Sequence, residues 1–357
     1  MNHKKIMVAM SGGVDSAVAA LLVRDMGHTT AGITMQLWNE NSRVFDDRTP
    51  SELDTNAKEA RAIADRLGIP HVTVSLGDTF LSHVVEPFIS TYIAGKTPNP
   101  CVICNREIKF GALPAIAREM GYPLLATGHY ARIEKDVNGR ALLKKALDTG
   151  KDQSYFLWSL TQNTLSSVCF PLGEYTKPEI REIAAANGFE NAHKSDSQDI
   201  CFISDGDYIS FIAKHSDHDF PKGAFVDVNN TVLGEHAGIV RYTVGQRKGL
   251  GIALGEPMFV KEKDPIRNTV TLCRDELLFS DTLTASDCNW IACDTPTSPI
   301  RAEVKIRYRH TAAPATVETI ENGRVAVRFD TPQRAIAPGQ SVVFYDGDTV
   351  IGGGMID

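Results

Sequence analysis

Along the first two hundred residues, short apolar or β-branched runs alternate with stretches in which apolar positions recur every three or four residues. That change of period separates strands from helices. Residues 6–10, 30–37, 71–75 and 124–127 predict strands. Residues 16–26, closed by Gly27, and about 57–67, stopped by Gly68, predict helices, as do stretches around 80–93 and 107–120. A further helix over 178–187 has Pro178 where a first turn tolerates it and Gly188 just past its end. The polar, helix-poor segment 39–54 predicts a surface loop. Such alternation builds βαβ units, so the expected class is an α/β domain with a doubly wound, Rossmann-like parallel sheet.

Beyond about Asp205 the pattern becomes short apolar runs at 224–228, 258–260, 269–273, 301–308, 324–329 and 341–345, separated by Gly, Pro, Asn and Asp. Turn signals at 227–230, 321–323 and 346–347 fit hairpins or small barrels. The expected organisation is the α/β domain over 1–205, a small central β-rich module over 206–275 and a C-terminal β-barrel over 276–357.

Composition narrows this picture. A chain of 357 residues, 43% hydrophobic and 23% charged, is long enough for two or three packed cores. No run approaches the length of a membrane span and no export signal opens the chain. Seven cysteines scattered over this length suit a reducing compartment and functional thiols, so the expected location is cytoplasmic. The formal net charge of -7 argues against a protein that coats nucleic acid indiscriminately. Any RNA surface must be local. Residues 301–334 hold seven Arg or Lys against four Asp or Glu, a balance of +3, and residues 241–250 carry Arg241, Arg247 and Lys248 with no acid.

Chemistry begins at Ser11-Gly12-Gly13-Val14-Asp15-Ser16, between the first strand and the first helix. Two glycines permit a tight turn, Ser11 and Ser16 add hydroxyls, and the free amides of the helix start form a nest for phosphate oxygens. The Gly-Lys-Ser/Thr ending of a P-loop and the Gly-x-Gly-x-x-Gly of a dinucleotide fold are both missing. The string resembles the PP-loop of ATP pyrophosphatases, which cleave ATP to AMP and pyrophosphate while adenylating a substrate oxygen. Adenylation turns a poor leaving group into a good one. The plain alternative is a glycine turn with a serine cap.

Cys101-Val102-Ile103-Cys104 follows the rigid turn Thr97-Pro98-Asn99-Pro100 and precedes the helical pattern from Glu107. A thiol near a helix N-terminus feels the positive end of the dipole, which favours thiolate. Cys201 lies in Ser197-Gln198-Asp199-Ile200-Cys201-Phe202, 201 − 104 = 97 residues further on. Cys169, Cys273, Cys288 and Cys293 read as buried or incidental thiols.

With these residues in view, the chain is similar over essentially its whole length to the bacterial tRNA-specific 2-thiouridylase family. Beside the PP-loop, the matching stretches are Gly95 to Pro100, Cys104 to Phe110, Ala126 to Tyr130, Lys151 to Leu157, Ile200 to Ile203, Thr243 to Gly251, Arg307 to Arg309 and Pro338 to Gln340. The resemblance implies ATP contacts at Ala9, Met10, Ser11, Gly12, Gly13, Val14, Asp15, Ser16, Met35 and Gly128. It implies tRNA contacts at His129, Lys151, Asp152, Gln153, Arg307, Tyr308 and Gln340, with the target base around Asn99, Pro100 and Cys101. Cys201 would receive a persulfide from an upstream donor, and Cys104 would be its catalytic partner through a transient disulfide. Asp15 joins them in the expected catalytic set, and Mg²⁺ accompanies ATP. The implied substrates are the lysine, glutamate and glutamine tRNAs, thiolated at carbon 2 of the wobble uridine.

Cys101 departs from the pattern, because many family members carry Asp there. The departure creates a Cys-x-x-Cys pair that with Cys201 makes three thiols, which opens a reading as an iron-sulfur cluster that is not favoured over redox pairing or a neutral substitution. Structural zinc usually takes four protein ligands, and a fourth is not evident. Taken singly, His129 reads as a satisfied strand-end histidine and Lys151 to Gln153 as a solvated turn. Residues 246–249 read as a basic hairpin tip. Arg307 and Arg309 read as one face of a strand around Tyr308, a set that also suits phosphate contact and base stacking. Two other functions stay open: a small-molecule adenylating ligase, which needs no paired cysteines, and a non-catalytic RNA-binding protein.

Overall fold

Ile6, Met7 and Val8 are buried in succession rather than alternately, the mark of a strand covered on both faces. In the computed structural model, which describes residues 3–37, 50–189, 200–203, 206–216 and 218–357 without the side chains of 50–54, these three residues lie in the central strand of a five-stranded parallel sheet. The strands are β1 (Lys5–Ala9), β2 (Thr29–Gln36), β3 (His71–Ser75), β4 (Leu124–Ala126) and, after the hairpin β5 (Ala131–Lys135) and β6 (Ala141–Lys145), β7 (Val168–Cys169). Their order is β3-β2-β1-β4-β7. The chain leaves β1 toward β2 on one side, and β4 flanks it on the other, so a switch point falls between β1 and β4. Open α/β sheets bind ligands outside the carboxyl ends of strands at such points.

Helix Val14–Asp25 is buried along most of its length because it is built from Ala and Val. It packs on helix Lys177–Ala186 and on helix Pro50–Leu67. The last of these begins earlier than expected, so residues 50–54 are helical rather than loop. The rest of the expected loop, 39–49, lies outside the described residues. The helical stretch expected from Glu107 likewise starts at Pro100: Pro100–Ile103 and Leu113–Glu119 are α-helical, and the intervening Cys104–Ala112 is a wider π-helical segment.

Two compact units are distinguished. The first takes in Met1–Val84, Cys101–Gly206 and Asp348–Ile351, and the second Val85–Pro100, Asp207–Gly347 and Gly352–Asp357. In the second, helices Glu86–Ile93 and Tyr208–His215 meet through aromatic rings, with Tyr92 stacked on Tyr208 at 4.7 Å. A four-stranded sheet follows, of β8 (Gly223–Val226), β9 (Val232–His236), β10 (Phe259–Asp264) and β11 (Thr269–Cys273) in the order β10-β11-β8-β9. Asp227 closes its first hairpin by accepting hydrogen bonds from the amides of Asn229 and Thr231, each at 2.8 Å.

The remaining strands are β12 (Phe279–Trp290), β13 (Ile300–Lys305), β14 (Ala313–Thr319), β15 (Val325–Arg334), β16 (Ser341–Asp346) and β17 (Thr349–Ile356). They run β12-β15-β14-β13-β16-β17, and β12 pairs back onto β17, which closes an antiparallel barrel. The doubly wound domain, the central β module and the C-terminal barrel expected from the pattern are all present. One local expectation fails: β13 ends at Lys305, so Arg307, Tyr308 and Arg309 occupy a turn and not a strand face. Because Val304 pairs with Ala313, the chain must reverse between them.

Candidate active site

At the end of β1 the loop Ser11 to Ser16 turns into helix Val14–Asp25. Gly12 has φ +76°, and a Cβ there would lie 2.8 Å from the Asn56 carbonyl oxygen, so both conformation and space require glycine. Gly13 caps the helix without any side-chain hydrogen bond, which leaves the first-turn amides uncapped. The Ser16 hydroxyl shapes the loop: it donates to the Gly13 carbonyl at 3.0 Å and accepts from the Ser11 amide at 3.1 Å. Ala9 and Met10 lead in from β1, with Thr34 donating to the Met10 carbonyl at 2.9 Å. Met35 lies on β2, two residues beyond Ile33, the partner of Ala9, and so toward the same carboxyl end of the sheet.

From the neighbouring strand β4 the chain returns as Thr127-Gly128-His129. A Cβ on Gly128 would lie 3.0 Å from both the Asp15 carbonyl carbon and the Ser16 nitrogen, so backbone meets backbone here. Tyr130 then donates its hydroxyl to Asp15 Oδ1 at 2.8 Å, and Lys177 Nζ reaches both Asp15 oxygens at 2.8 and 2.9 Å. Neither Tyr130 nor Lys177 was singled out from the sequence. Lys177 lies just before the helix expected from Pro178, and no local spacing links it to a residue 162 positions away.

His129 is buried, joined to Thr127 Oγ1 through Nδ1 at 2.7 Å and packed against Phe110 and Phe170. Burial, helped by the charge of Lys109, holds its pKa well below 6.5, which keeps the ring neutral at neutral pH. Gln153 and Tyr130 exchange hydrogen bonds: the Gln153 amide donates to the Tyr130 carbonyl at 2.8 Å, and the Tyr130 amide donates to Gln153 Oε1 at 2.9 Å. The Asp152 carboxylate is buried and accepts from the amides of Ala146 and Ser154 and from the Ser154 hydroxyl. Both side chains therefore hold the turn that carries half-buried Lys151.

Cys101 sits in the first turn of the helix opened by Pro100, and Cys104 is one turn on, at the start of the π-helical segment. The favoured thiolate is not what this geometry produces at Cys104. It is buried, and burial raises its pKa above 9.0, with Lys109 pulling the other way and the neighbouring Cys101 adding to the rise. Desolvation outweighs the helix end. Cys101 is exposed by area yet densely surrounded, and its thiol is likewise raised by burial against the pull of Lys109. Lys109 thus acts on Cys101, Cys104 and His129 alike, a role the sequence motif did not disclose. Cys201 is an exposed thiol beside the buried Phe202 and Ile203, and the Phe202 ring packs edge-on to Phe80 at 5.5 Å. Residues 197–199 of its motif lie outside the described residues. No group of three or more His, Cys, Asp or Glu side chains placed to hold a metal ion occurs among the described residues, which include Cys101, Cys104 and Cys201. Cys101, Cys104 and Cys201 are not gathered into such a group, and the iron-sulfur reading is not favoured.

The second unit holds the other expected contacts. Gln340 Nε2 donates to the carbonyls of Thr97 and Pro98, each at 3.1 Å, while the Thr97 amide donates to the Pro338 carbonyl at 2.8 Å. Pro338-Gly339-Gln340 thereby grips the segment that carries buried Asn99 and Pro100. Arg307 donates to the Arg334 carbonyl at 3.1 Å, and Lys305 lies 5.9 Å from the Tyr308 ring. The guanidiniums of Arg334 and Arg247 lie 4.9 and 6.0 Å from the Phe259 ring centre, which gathers Arg247, Arg307 and Arg334 into one basic and aromatic surface.

An α/β domain with a phosphate loop at its switch point, followed by a small β module and a closed barrel, defines a HUP-class protein with two β appendages. Residues 4–205 match the family model described as tRNA methyl transferase HUP domain, residues 209–274 the tRNA methyl transferase PRC-barrel domain, and residues 280–356 the aminomethyltransferase beta-barrel domain. The chain belongs to the tRNA-specific 2-thiouridylase family. It is 46% identical to the tRNA-specific 2-thiouridylase MnmA of Clostridioides difficile, over 99% of this chain and 98% of that protein. Identity to the proteins of the same name is 47% in Geotalea uraniireducens, over 99% of this chain and 95% of that one, and 48% in Syntrophotalea carbinolica, over 99% of each.

Proposed function

We propose that this chain is a tRNA-uridine 2-sulfurtransferase that replaces the carbon-2 oxygen of the wobble uridine, position 34, with sulfur. Residues 1–205 activate the base and transfer sulfur, and the modules over 206–275 and 276–357 hold the tRNA. The observation that carries this reading is the uncapped phosphate nest at the β1–β4 switch point, in the same unit as buried Cys104 and exposed Cys201.

ATP binds with its phosphates on the Ser11–Ser16 amides, beside Met35 and Gly128. The uridine O2 attacks the α-phosphorus, pyrophosphate leaves, and carbon 2 becomes linked through oxygen to AMP. Mg²⁺ bound with the triphosphate would neutralise the departing pyrophosphate.

The exposure of Cys201 suits loading by a separate sulfur donor, which leaves a terminal persulfide sulfur. That sulfur attacks carbon 2 and AMP leaves. The Cys104 thiolate then attacks the Cys201 sulfur, the bond to the transferred sulfur breaks, and 2-thiouridine departs, leaving a Cys104–Cys201 disulfide for an external thiol to reduce. Burial of Cys104 keeps it protonated until this step, which protects it from wasteful oxidation. Asn99, Pro100 and Cys101 are the residues expected to meet the target base, and His129 is expected to meet the tRNA. Lysine, glutamate and glutamine tRNAs are the expected substrates, handled in the cytoplasm. No helix among the described residues is long and apolar enough to cross a membrane.

The test is release of AMP and pyrophosphate on addition of tRNA, with 2-thiouridine sought in nuclease digests. Ser16→Ala, which unties the loop, should abolish thiolation while leaving tRNA binding largely intact. Pyrophosphate release without tRNA would indicate a small-molecule ligase, and none under any condition a non-catalytic RNA-binding protein.

A further inference from the structure

The phosphate loop contains a difficulty. Its amides and helix end attract an anion, yet Asp15, the second residue of helix Val14–Asp25, puts a carboxylate in the first turn. A negative group there opposes the arrival of a triphosphate. Lys177 answers it. Its side chain is 8% exposed against 32% for Asp15, and its ammonium donates to both carboxylate oxygens, while Tyr130 supplies a third hydrogen bond.

Lys177 is itself held rigidly. It opens helix Lys177–Ala186, whose N-terminus is closed by a capping box between Thr176 and Glu179. Its backbone amide donates to Asp148 Oδ2 at 2.9 Å, which ties the helix start to the turn after β6. The Gly128 backbone lies against Asp15 and Ser16 at the other side, so the carboxylate has little room to reorient.

We propose that Lys177 is a positioning residue for adenylation: it neutralises and fixes Asp15, so that the loop presents its amides to ATP without a competing charge. This rests on the reading of the loop as the ATP site. Lys177 acts through Asp15 and need not touch the nucleotide.

A double-mutant cycle reads this out. KM for ATP and kcat of tRNA-dependent pyrophosphate release are measured for the wild type, Lys177→Met, Lys177→Arg, Asp15→Asn and Asp15→Asn/Lys177→Met. Lys177→Met should raise KM for ATP tenfold or more and change kcat less. Lys177→Arg, which keeps the charge, should recover to within about threefold. With Asp15 already neutral, adding Lys177→Met should change KM by less than about twofold. If Lys177→Met alone fails to fold, the comparison of Asp15→Asn with the charge-free double variant carries the same information, because that pair of variants leaves no unpaired carboxylate. An unchanged KM in Lys177→Met overturns the inference. So does a double variant impaired by the same factor as Lys177→Met in the wild type, since that would mean a direct phosphate contact. A wild type that releases no pyrophosphate defeats the ATP reading and this inference with it, whereas a fully active wild type with an indifferent Lys177 defeats the inference alone.

Discussion

Two side chains in the first unit, Cys104 and His129, are set by burial more than by their helix or strand. Cys104 has its pKa raised by burial, opposed by Lys109, so its thiolate is a minor species near neutrality and grows about tenfold per pH unit up to that raised pKa. Iodoacetamide labelling of Cys104 should therefore still be rising above pH 9. Lys109→Ala should move the curve further up, and a Cys104 profile that levels off near pH 7 would remove burial as the controlling effect. His129 works in the opposite sense. Its folded pKa lies below its unfolded value of 6.5 because of burial and then Lys109, so the unfolded chain takes up a proton that the folded one refuses. The associated stability is present above pH 6.5 and is lost as pH falls below it, at up to about 1.4 kcal/mol per pH unit. Denaturant unfolding between pH 7.5 and 5.5 should show this slope, and His129→Gln should flatten it. At this scale the sequence disclosed the reactive residue types but not their environments. Asp15 was visible in its motif, while Lys177, Tyr130 and Lys109 became meaningful only through distances that no spacing predicts.

Elements were legible where the pattern was strong. The strands near residues 6, 30, 71 and 124 emerged because their apolar runs are bounded by turns, and observed bounds differ by a residue or so. The hairpin β5–β6 had a signal in Asn138-Gly139 but is rich in Lys, Arg and Glu, which hides its alternation. Strand β17 contains Gly352, Gly353 and Gly354, which interrupt its apolar run, and a Cβ at 352 would lie 2.4 Å from the Asn289 carbonyl oxygen. Close approach to β12, not side-chain packing, selects glycine there. Gln340 shows how an element can be stabilised by a residue expected to meet RNA. Its two hydrogen bonds to Thr97 and Pro98 should be worth roughly 1–3 kcal/mol together. Gln340→Ala should lower Tm by several degrees and admit proteolysis near residues 97–99. Weaker tRNA binding at an unchanged Tm would return the side chain to the RNA. Lys263 makes the converse case, since its ammonium is buried without a hydrogen-bond partner and 5.9 Å from the Tyr92 ring. Burial pushes its pKa down to about 8. Below that pH the fold carries a desolvated charge that the unfolded chain does not, so stability is lost as pH falls from 10.5 toward 8. Lys263→Met should stabilise the protein at pH 7, by an amount that shrinks above pH 9.

For the whole molecule, a net charge of -7 and an RNA substrate coexist only if positive charge is gathered locally. Counting basic residues marked 301–334 correctly as rich in Arg, but the count treats all of them as equal. Arg301 is not available in the same way as the others: its guanidinium forms a two-pronged pair with Asp330 at 2.9 and 2.6 Å. Arg307 leans on the Arg334 backbone, and Arg247 approaches the Phe259 ring that Arg334 covers, so residues from the central module and the barrel share a surface within the second unit. Each phosphate contact releases counterions and contributes about 0.7 to 0.9 to the slope of log affinity against log salt. The triple variant Arg247→Ala, Lys248→Ala, Arg307→Ala should weaken tRNA binding at low salt and reduce that slope by about 2 to 2.7. Arg301→Ala should leave the slope unchanged, because its charge is already compensated by Asp330. Filter binding or anisotropy between 50 and 300 mM KCl measures both variants. Equal slopes for the triple variant and the wild type would place the RNA elsewhere, and a slope change in Arg301→Ala would mean that the ion pair opens to admit phosphate.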